Sequence, residues 1–138
     1  MHYLKYHPET HTLSGELLVC DSPTLTGRTY PMNEVKVAIE VLQPKVANKD
    51  LVGELGMSVY TNFTEVNVNN AAIRVEEVYF KGKKLHGTLK ILNTDSGKLL
   101  QSLINAKCKF KAAMIAIGTV THGTVRDLNI ITFNVVRV

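Results

Sequence analysis

A histidine surrounded by nucleophilic side chains is one feature of this sequence that could do chemistry. His122 lies in the stretch "GTVTHGTV", and Cys108 lies further upstream. A Cys or Thr nucleophile with a His base is sufficient for covalent catalysis. An isolated His in a turn is more often a surface residue, so an active hydrolase with a relocated site ranks third among our hypotheses. The threonines concerned are Thr119, Thr121 and Thr124.

Two histidines near the start of the chain have the spacing of a metal site on a helix. His7 and His11 are four residues apart and would share one helix face. Pro8 and the neighbouring threonines oppose a helix there, and Glu9 alone does not complete a ligand set. We therefore expect a polar segment at this place, and neither a metal nor a cofactor in the protein.

The composition is that of a globular protein with one domain, which we assign to residues 1–138. Hydrophobic residues make up 45% and charged residues 20% of the sequence. Cys20 and Cys108 are isolated thiols without the spacing of a metal site or disulfide framework, which is typical of a reducing cytoplasm. The polar N-terminus and the lack of a long apolar run predict neither a signal peptide nor a membrane span.

Lysines contribute to a net charge of +4 and are gathered loosely in two groups. A solvated turn and a solvated strand face explain these groups better than nucleic-acid binding does. Binding of nucleic acid or of an acidic protein to this basic surface remains an alternative. The first group is Lys81, Lys83 and Lys84, and the second is Lys107, Lys109 and Lys111.

The hydrophobic pattern predicts about seven strands and two helices, in an order that is not a βαβ alternation. Residues 71–80 and 85–92 predict a hairpin around Gly82, and residues 110–120 and 128–138 predict two buried strands. Residues 95–106 have the clearest helical pattern, behind possible N-caps that include Thr94. The segment 33–43 fits a strand or a helix, and Pro44 should end either one. We predict an α+β fold with a mainly antiparallel sheet or barrel.

The order of these segments over residues 27–138 resembles that of the prohead (head maturation) serine proteases of tailed bacteriophages. "GRTYP" stands where the family has "NRxYP" before its first helix, which favours a helix over 33–43. The resemblance implies a β-barrel flanked by helices, similar to the herpesvirus assemblins. The hairpin motif is matched at Lys81, Gly82, Gly87 and Ile91, and the helix motif at Thr94, Gly97, Leu100, Leu103 and Ile104.

The resemblance also implies where a catalytic site would lie, and this sequence has other residues there. In "GELGMS", Met57 stands at the family's general-base His, and a thioether has no titratable proton. Ala113 and Met114 stand in the nucleophilic serine motif, and Asn134 stands at an acidic position of the last strand. We therefore predict a degenerate pseudoprotease that is not an enzyme.

Three hypotheses of function follow from these observations. The first is a catalytically inactive structural or assembly component of a phage particle, bound to itself or to capsid or scaffold proteins. Met57, Met114 and Ile115 would then fill the former substrate cleft. The alternative is a phage-encoded soluble factor that binds a host protein or nucleic acid, and the active hydrolase ranks third. We expect the protein in the virion or in the host cytoplasm.

Overall fold

The computed structural model describes residues 3–56 and 66–138, and these contain seven strands and two α-helices. Their number and type agree with the sequence pattern. Neither helix of this described part is long and apolar enough to cross a membrane. The elements are β1 (Lys5–His7), β2 (Thr12–Val19), α1 (Met32–Ala47), β3 (Val52–Glu54), a short 3-10 helix (Val68–Asn70), β4 (Ala71–Lys81), β5 (Lys84–Ile91), α2 (Asp95–Asn105), β6 (Phe110–Thr121) and β7 (Thr124–Arg137).

The strands form an antiparallel five-stranded sheet, in the order β1-β2-β5-β4-β3, and a separate β6–β7 hairpin. The two sheets meet through one parallel bridge between Leu55 and Val135, and through a hydrogen bond from Leu4 N to Phe110 O of 2.8 Å. The predicted α+β class is confirmed. The predicted barrel is wrong for the described residues, because β3 has three residues and the chain just after it meets β7 by an isolated bridge at Leu55 rather than by a continuous ladder.

Helix α1 resolves the ambiguity of segment 33–43 in favour of a helix. Its buried side chains recur at helical spacing, whereas Val37 and Val41 on the opposite face are exposed. A residue distant in sequence caps the first turn, because the Asp21 carboxylate accepts a hydrogen bond of 2.9 Å from Met32 N. Pro44 lies inside the helix rather than ending it, which corrects the prediction. A proline so near the C-terminus disrupts only the last turns, and buried Val46 packs that end into the core.

Helix α2 begins where its sequence signals place it. The Thr94 hydroxyl oxygen accepts a hydrogen bond of 3.0 Å from Gly97 N and donates to Ala71 O at the start of β4. A side chain at Gly97 would overlap the Leu92 carbonyl oxygen, so the helix approaches the sheet closely only because this residue is glycine. The sheets and both helices enclose one core, whose largest fully buried side chains are Phe133, Leu13, Ile73, Leu85, Leu89 and Leu100.

Candidate functional site

The end of β3 lies against β7, which in turn pairs with β6, and this brings together three parts of the chain that are distant in sequence. We call this place the strand junction and define it as residues 53–56, 113–114 and 133–135. Gly56 N donates a hydrogen bond of 2.7 Å to Val135 O, next to the bridge formed by Leu55. A Cβ atom at Gly53 would overlap the Phe133 carbonyl oxygen, so this approach of β3 to β7 requires glycine.

The strand junction contains three of the four positions that the sequence matched to the family's catalytic residues. Ala113 is the cross-strand partner of Asn134, and Met114 is the partner of Phe133. Ala113 and Met114 are half-buried, and Asn134 is 1% exposed. Met57 lies outside the described residues, although the last described residue before it, Gly56, belongs to the junction. The register therefore brings together residues 113, 114 and 134.

A buried carboxylate, which the sequence analysis did not single out, organises the strand junction. Glu54 is 3% exposed, and its backbone N–H donates a hydrogen bond of 2.9 Å to Asn134 Oδ1. Its carboxylate accepts hydrogen bonds from Asn67 N at 3.2 Å and from Asn70 Nδ2 at 3.3 Å. Asn70 Oδ1 in turn accepts from Ser96 Oγ at 2.7 Å, at the start of α2. A chain of polar contacts therefore links β7, β3 and α2.

Asn134 takes part in this buried network through its carbonyl oxygen. Its Oδ1 accepts the Glu54 N–H, but its Nδ2 has no hydrogen-bond partner among the described residues. The sequence signal for this residue was its place at the family's acidic position. The signal for Glu54 was only its place in the "GEL" motif.

The structure does not bring Cys108 and His122 together. Cys108 precedes β6, whereas His122 is an exposed residue in the turn that follows β6. The strand between them has 12 residues and spans roughly 35 Å, at about 3.3 Å per residue. A catalytic pair of these two side chains is therefore excluded by distance. Thr121 and Thr124 flank the same turn as cross-strand partners.

The second thiol, Cys20, is placed to be inert. Its side chain is fully buried at the end of β2, and Cys20 N donates a hydrogen bond to Lys83 O. Burial raises the pKa of the Cys20 thiol above its ordinary value of 9.0, and the nearby Asp21 carboxylate raises it further, against an opposing effect of Lys36. The reactive thiolate form is therefore disfavoured at neutral pH.

The described part of the chain contains no group of three His, Cys, Asp or Glu side chains that could hold a metal ion. His7 ends strand β1, and His11 lies in the following turn with a left-handed φ of 54°. These two residues are therefore not on one helix face, and the spacing that suggested a metal site does not form one.

The two lysine groups lie at different turns of the fold. Lys81, Lys83 and Lys84 form the β4–β5 turn, and Lys84 Nζ is 3.5 Å from Glu16 Oε1. The second group lies between α2 and the start of β6, where Leu4 N binds Phe110 O. One cation of the first group is thus already paired, which weakens it as a site for phosphates. The second group is Lys107, Lys109 and Lys111.

The fold and the strand junction define an α+β protein in which an antiparallel sheet and a long hairpin meet at a buried polar network. The structure is similar to that described as the bacteriophage T4 capsid assembly protease, with a TM-score of 0.77 and 21% sequence identity. The similarity covers 91% of this chain and 80% of that chain. No curated protein sequence matches this chain significantly.

The chain belongs to the family described as prohead core protein serine protease, whose model matches residues 11–135. The resemblance to prohead proteases found in the sequence is thereby confirmed, and with it a connection to phage capsid assembly. The prediction that the chain is not an enzyme is contradicted, because this is a family of serine proteases. Changed residues at these four aligned positions do not exclude chemistry by other side chains of the same fold.

Proposed function

We propose that this protein acts in the assembly of a phage capsid, where it binds segments of capsid or scaffold proteins along β6 and cleaves them. The observation that carries the proposal is the family match over residues 11–135, which includes every described strand of the junction. We place this activity in the host cytoplasm or in the maturing particle.

Strand β6 offers a surface for an extended peptide. Within residues 3–56 and 66–138, β6 forms a ladder with β7 alone, and its other edge is contacted at its start, where Phe110 O accepts from Leu4 N. Beyond Phe110, this edge has no ladder partner among the described residues and can pair with an added strand. The outer half of β6 is also exposed and apolar, at Ile117 and Val120. A cavity of about 230 Å³ beside them is lined by Arg28 and Tyr30. Backbone pairing with a pocket for side chains is the usual way to bind an extended segment.

The residues at the family's catalytic positions take a different part in this proposal. Met57, Ala113 and Met114 have no ionisable proton and cannot act as nucleophile or base. We assign half-buried Ala113 to apolar contact with the bound segment, whereas Met114 packs against the core and supports β6 from inside. Asn134 stabilises the junction through the hydrogen bond that its Oδ1 accepts from Glu54 N.

Co-expression with the head proteins of the same phage tests the proposal. We expect the tagged chain to retain a capsid or scaffold protein on an affinity column, and mass spectrometry to find new chain ends in that protein. Ile117→Asp on β6 should reduce retention at least about tenfold, because it puts a charge on the apolar edge. Val37→Asp, on the exposed face of α1, is the matched control and should leave retention unchanged. If no head protein is retained and no head protein gains new chain ends, the proposal is refuted.

A further inference from the structure

The hairpin of β1 and β2 carries a serine, a histidine and a glutamate in the arrangement of an activated nucleophile. Ser14 Oγ lies 2.7 Å from His7 Nε2. On the other side of the imidazole ring, His7 Nδ1 lies 3.8 Å from Glu9 Oε1. A nucleophile within hydrogen-bond distance of a base is the first part of the geometry of nucleophilic catalysis. At 3.8 Å the Glu9 carboxylate makes no hydrogen bond to the ring, but it is close enough to attract the ring when it is protonated.

The strand register produces this arrangement. Lys5 pairs with Ser14 and His7 pairs with Thr12, so His7 and Ser14 are diagonal neighbours on one face of the hairpin. The chain then reverses direction in a tight turn, in which Thr10 N donates to His7 O at 3.3 Å. Glu9 lies in this turn, which brings its carboxylate back beside the imidazole ring.

The opposite face of the hairpin anchors both strands in the core. Leu4 and Leu13 are buried there, and the Tyr6 hydroxyl donates a hydrogen bond of 3.2 Å to Gln101 Oε1 of α2. The turn is held as well, because Ile91 N donates to His11 O at 2.9 Å. Ser14 and His7 therefore project from a supported backbone rather than from a free loop, which keeps their geometry defined.

The pair is also open to a substrate. The side chain of His7 is 29% exposed, and Ser14 is half-buried. Lys5 is the direct cross-strand partner of Ser14, so the Cβ atoms of the two residues are about 5 Å apart on the same face of the hairpin. From there the flexible Lys5 side chain is long enough to bring its ammonium group to the negative oxygen that develops during attack on a carbonyl group.

We propose that Ser14 is the nucleophile of an acyl-transfer site, with His7 as its base and Glu9 as a positioning residue. Ser14 Oγ bonds to the carbonyl carbon of an ester or peptide and passes its proton to His7 Nε2. The bond to the leaving alcohol or amine breaks, and that group takes the proton from His7. Water then attacks the acyl-serine by the same route, which releases a carboxylic acid and restores Ser14. The choice of a peptide as the natural substrate, though not the site itself, rests on the proposed function.

The tautomer that this step requires agrees with the surroundings of the ring. Nε2 must accept the Ser14 proton, so Nδ1 carries the ring proton and faces the Glu9 carboxylate. When His7 becomes positively charged during the step, the same carboxylate stabilises the charge. Neither the proton transfer to His7 nor the stabilisation of its charge by Glu9 requires any residue of the strand junction.

A fluorophosphonate probe tests this site without a protein substrate. We expect the purified chain to be labelled on Ser14, as mapped by peptide mass spectrometry, and Ser14→Ala to lose the label. His7→Gln should slow labelling about 100-fold, the usual worth of a general base. Glu9→Gln should slow it about fivefold, as for an exposed ion pair, and Glu9→Asp should recover part of the rate. Ser102→Ala removes a serine of α2 that donates to Lys98 O, and should label at the wild-type rate.

The outcomes separate this inference from the proposed function. Labelling confined to another residue, or an equal rate in wild type and His7→Gln, would overturn the assignment of Ser14, even if head proteins are retained and cleaved. If Ser14→Ala does not fold by circular dichroism, Ser14→Cys replaces it, and its alkylation by iodoacetamide should slow when His7→Gln is added. Labelling of Ser14 without retention of any head protein would support the site and refute only the proposed function.

Discussion

Glu54 provides the sharpest test of the polar network at the strand junction. Glu54→Ala removes the acceptor for Asn67 N, at 3.2 Å, and for Asn70 Nδ2, at 3.3 Å. Asn70 Nδ2 keeps a hydrogen bond of 3.0 Å to Leu55 O, so Asn67 N is the donor that loses more. Asn67 N is partly buried, so leaving it unpaired costs about 1 kcal/mol, the low end of the range for a buried donor, and the lost bond to Asn70 and the emptied volume add to it. We expect a total loss of about 3 kcal/mol in the free energy of unfolding.

Thermal and urea unfolding followed by circular dichroism measure this loss. For a chain of this size, about 3 kcal/mol corresponds to a decrease of about 10 °C in Tm. Glu54→Gln keeps the size of the side chain but turns an amide NH₂ towards one of the two donors. Its Tm should therefore lie between that of the wild type and that of Glu54→Ala. Glu76→Ala is the matched control, because Glu76 is exposed and its only described polar partner is Arg74, at 3.1 Å. It should cost less than about 1 kcal/mol.

A loss below about 0.5 kcal/mol for Glu54→Ala, equal to that of Glu76→Ala, would refute the reasoning. It would mean that water or a neighbouring group satisfies Asn67 N as well as the carboxylate does. The network would then be a consequence of the junction rather than a cause of its stability.

Three further predictions concern a glycine of the strand junction, the cap of α2 and the buried thiol. Gly53→Ala should destabilise the protein by about 3 kcal/mol or more in urea unfolding, because its Cβ would overlap Phe133 O and lie 2.7 Å from Ile73 Cδ1. Gly27→Ala is the control, since a Cβ at Gly27 meets no other atom, and it should cost only about 1–2 kcal/mol for its left-handed backbone. Thr94→Ala should lower the free energy of unfolding by about 1–2 kcal/mol through loss of the α2 cap, and an unchanged Tm would contradict that role. Cys20 should resist iodoacetamide at pH 8 while half-exposed Cys108 reacts. Because the folded state holds the Cys20 proton more tightly than the unfolded state does, the free energy of unfolding should fall as pH rises above 9.0. Cys20→Ala is itself less stable at neutral pH and should lose part of that pH dependence.

The elements with strong local signals were predictable from the sequence. Helix α2 has a Thr94 cap and an apolar face, and the β4–β5 hairpin has Gly82 with a left-handed φ of 63° at its turn. Both signals act within a few residues, so they do not depend on the rest of the fold. Segment 33–43 lacked such a signal, because its alternating β-branched residues suit a strand and a helix alike. Packing of one face of α1 into the core decided between them.

The sequence by itself determined the family and the order of the elements, because these depend on local patterns and on motifs read along the chain. It also indicated that Ala113 and Asn134 belong together, although only through the resemblance. Tertiary structure alone decided that Glu54 supports Asn134 and that His7 meets Ser14. Both contacts join residues of different strands, and a one-residue change in strand register would turn the side chains to opposite faces. Composition and spacing cannot specify that register, whereas the packing of the core does.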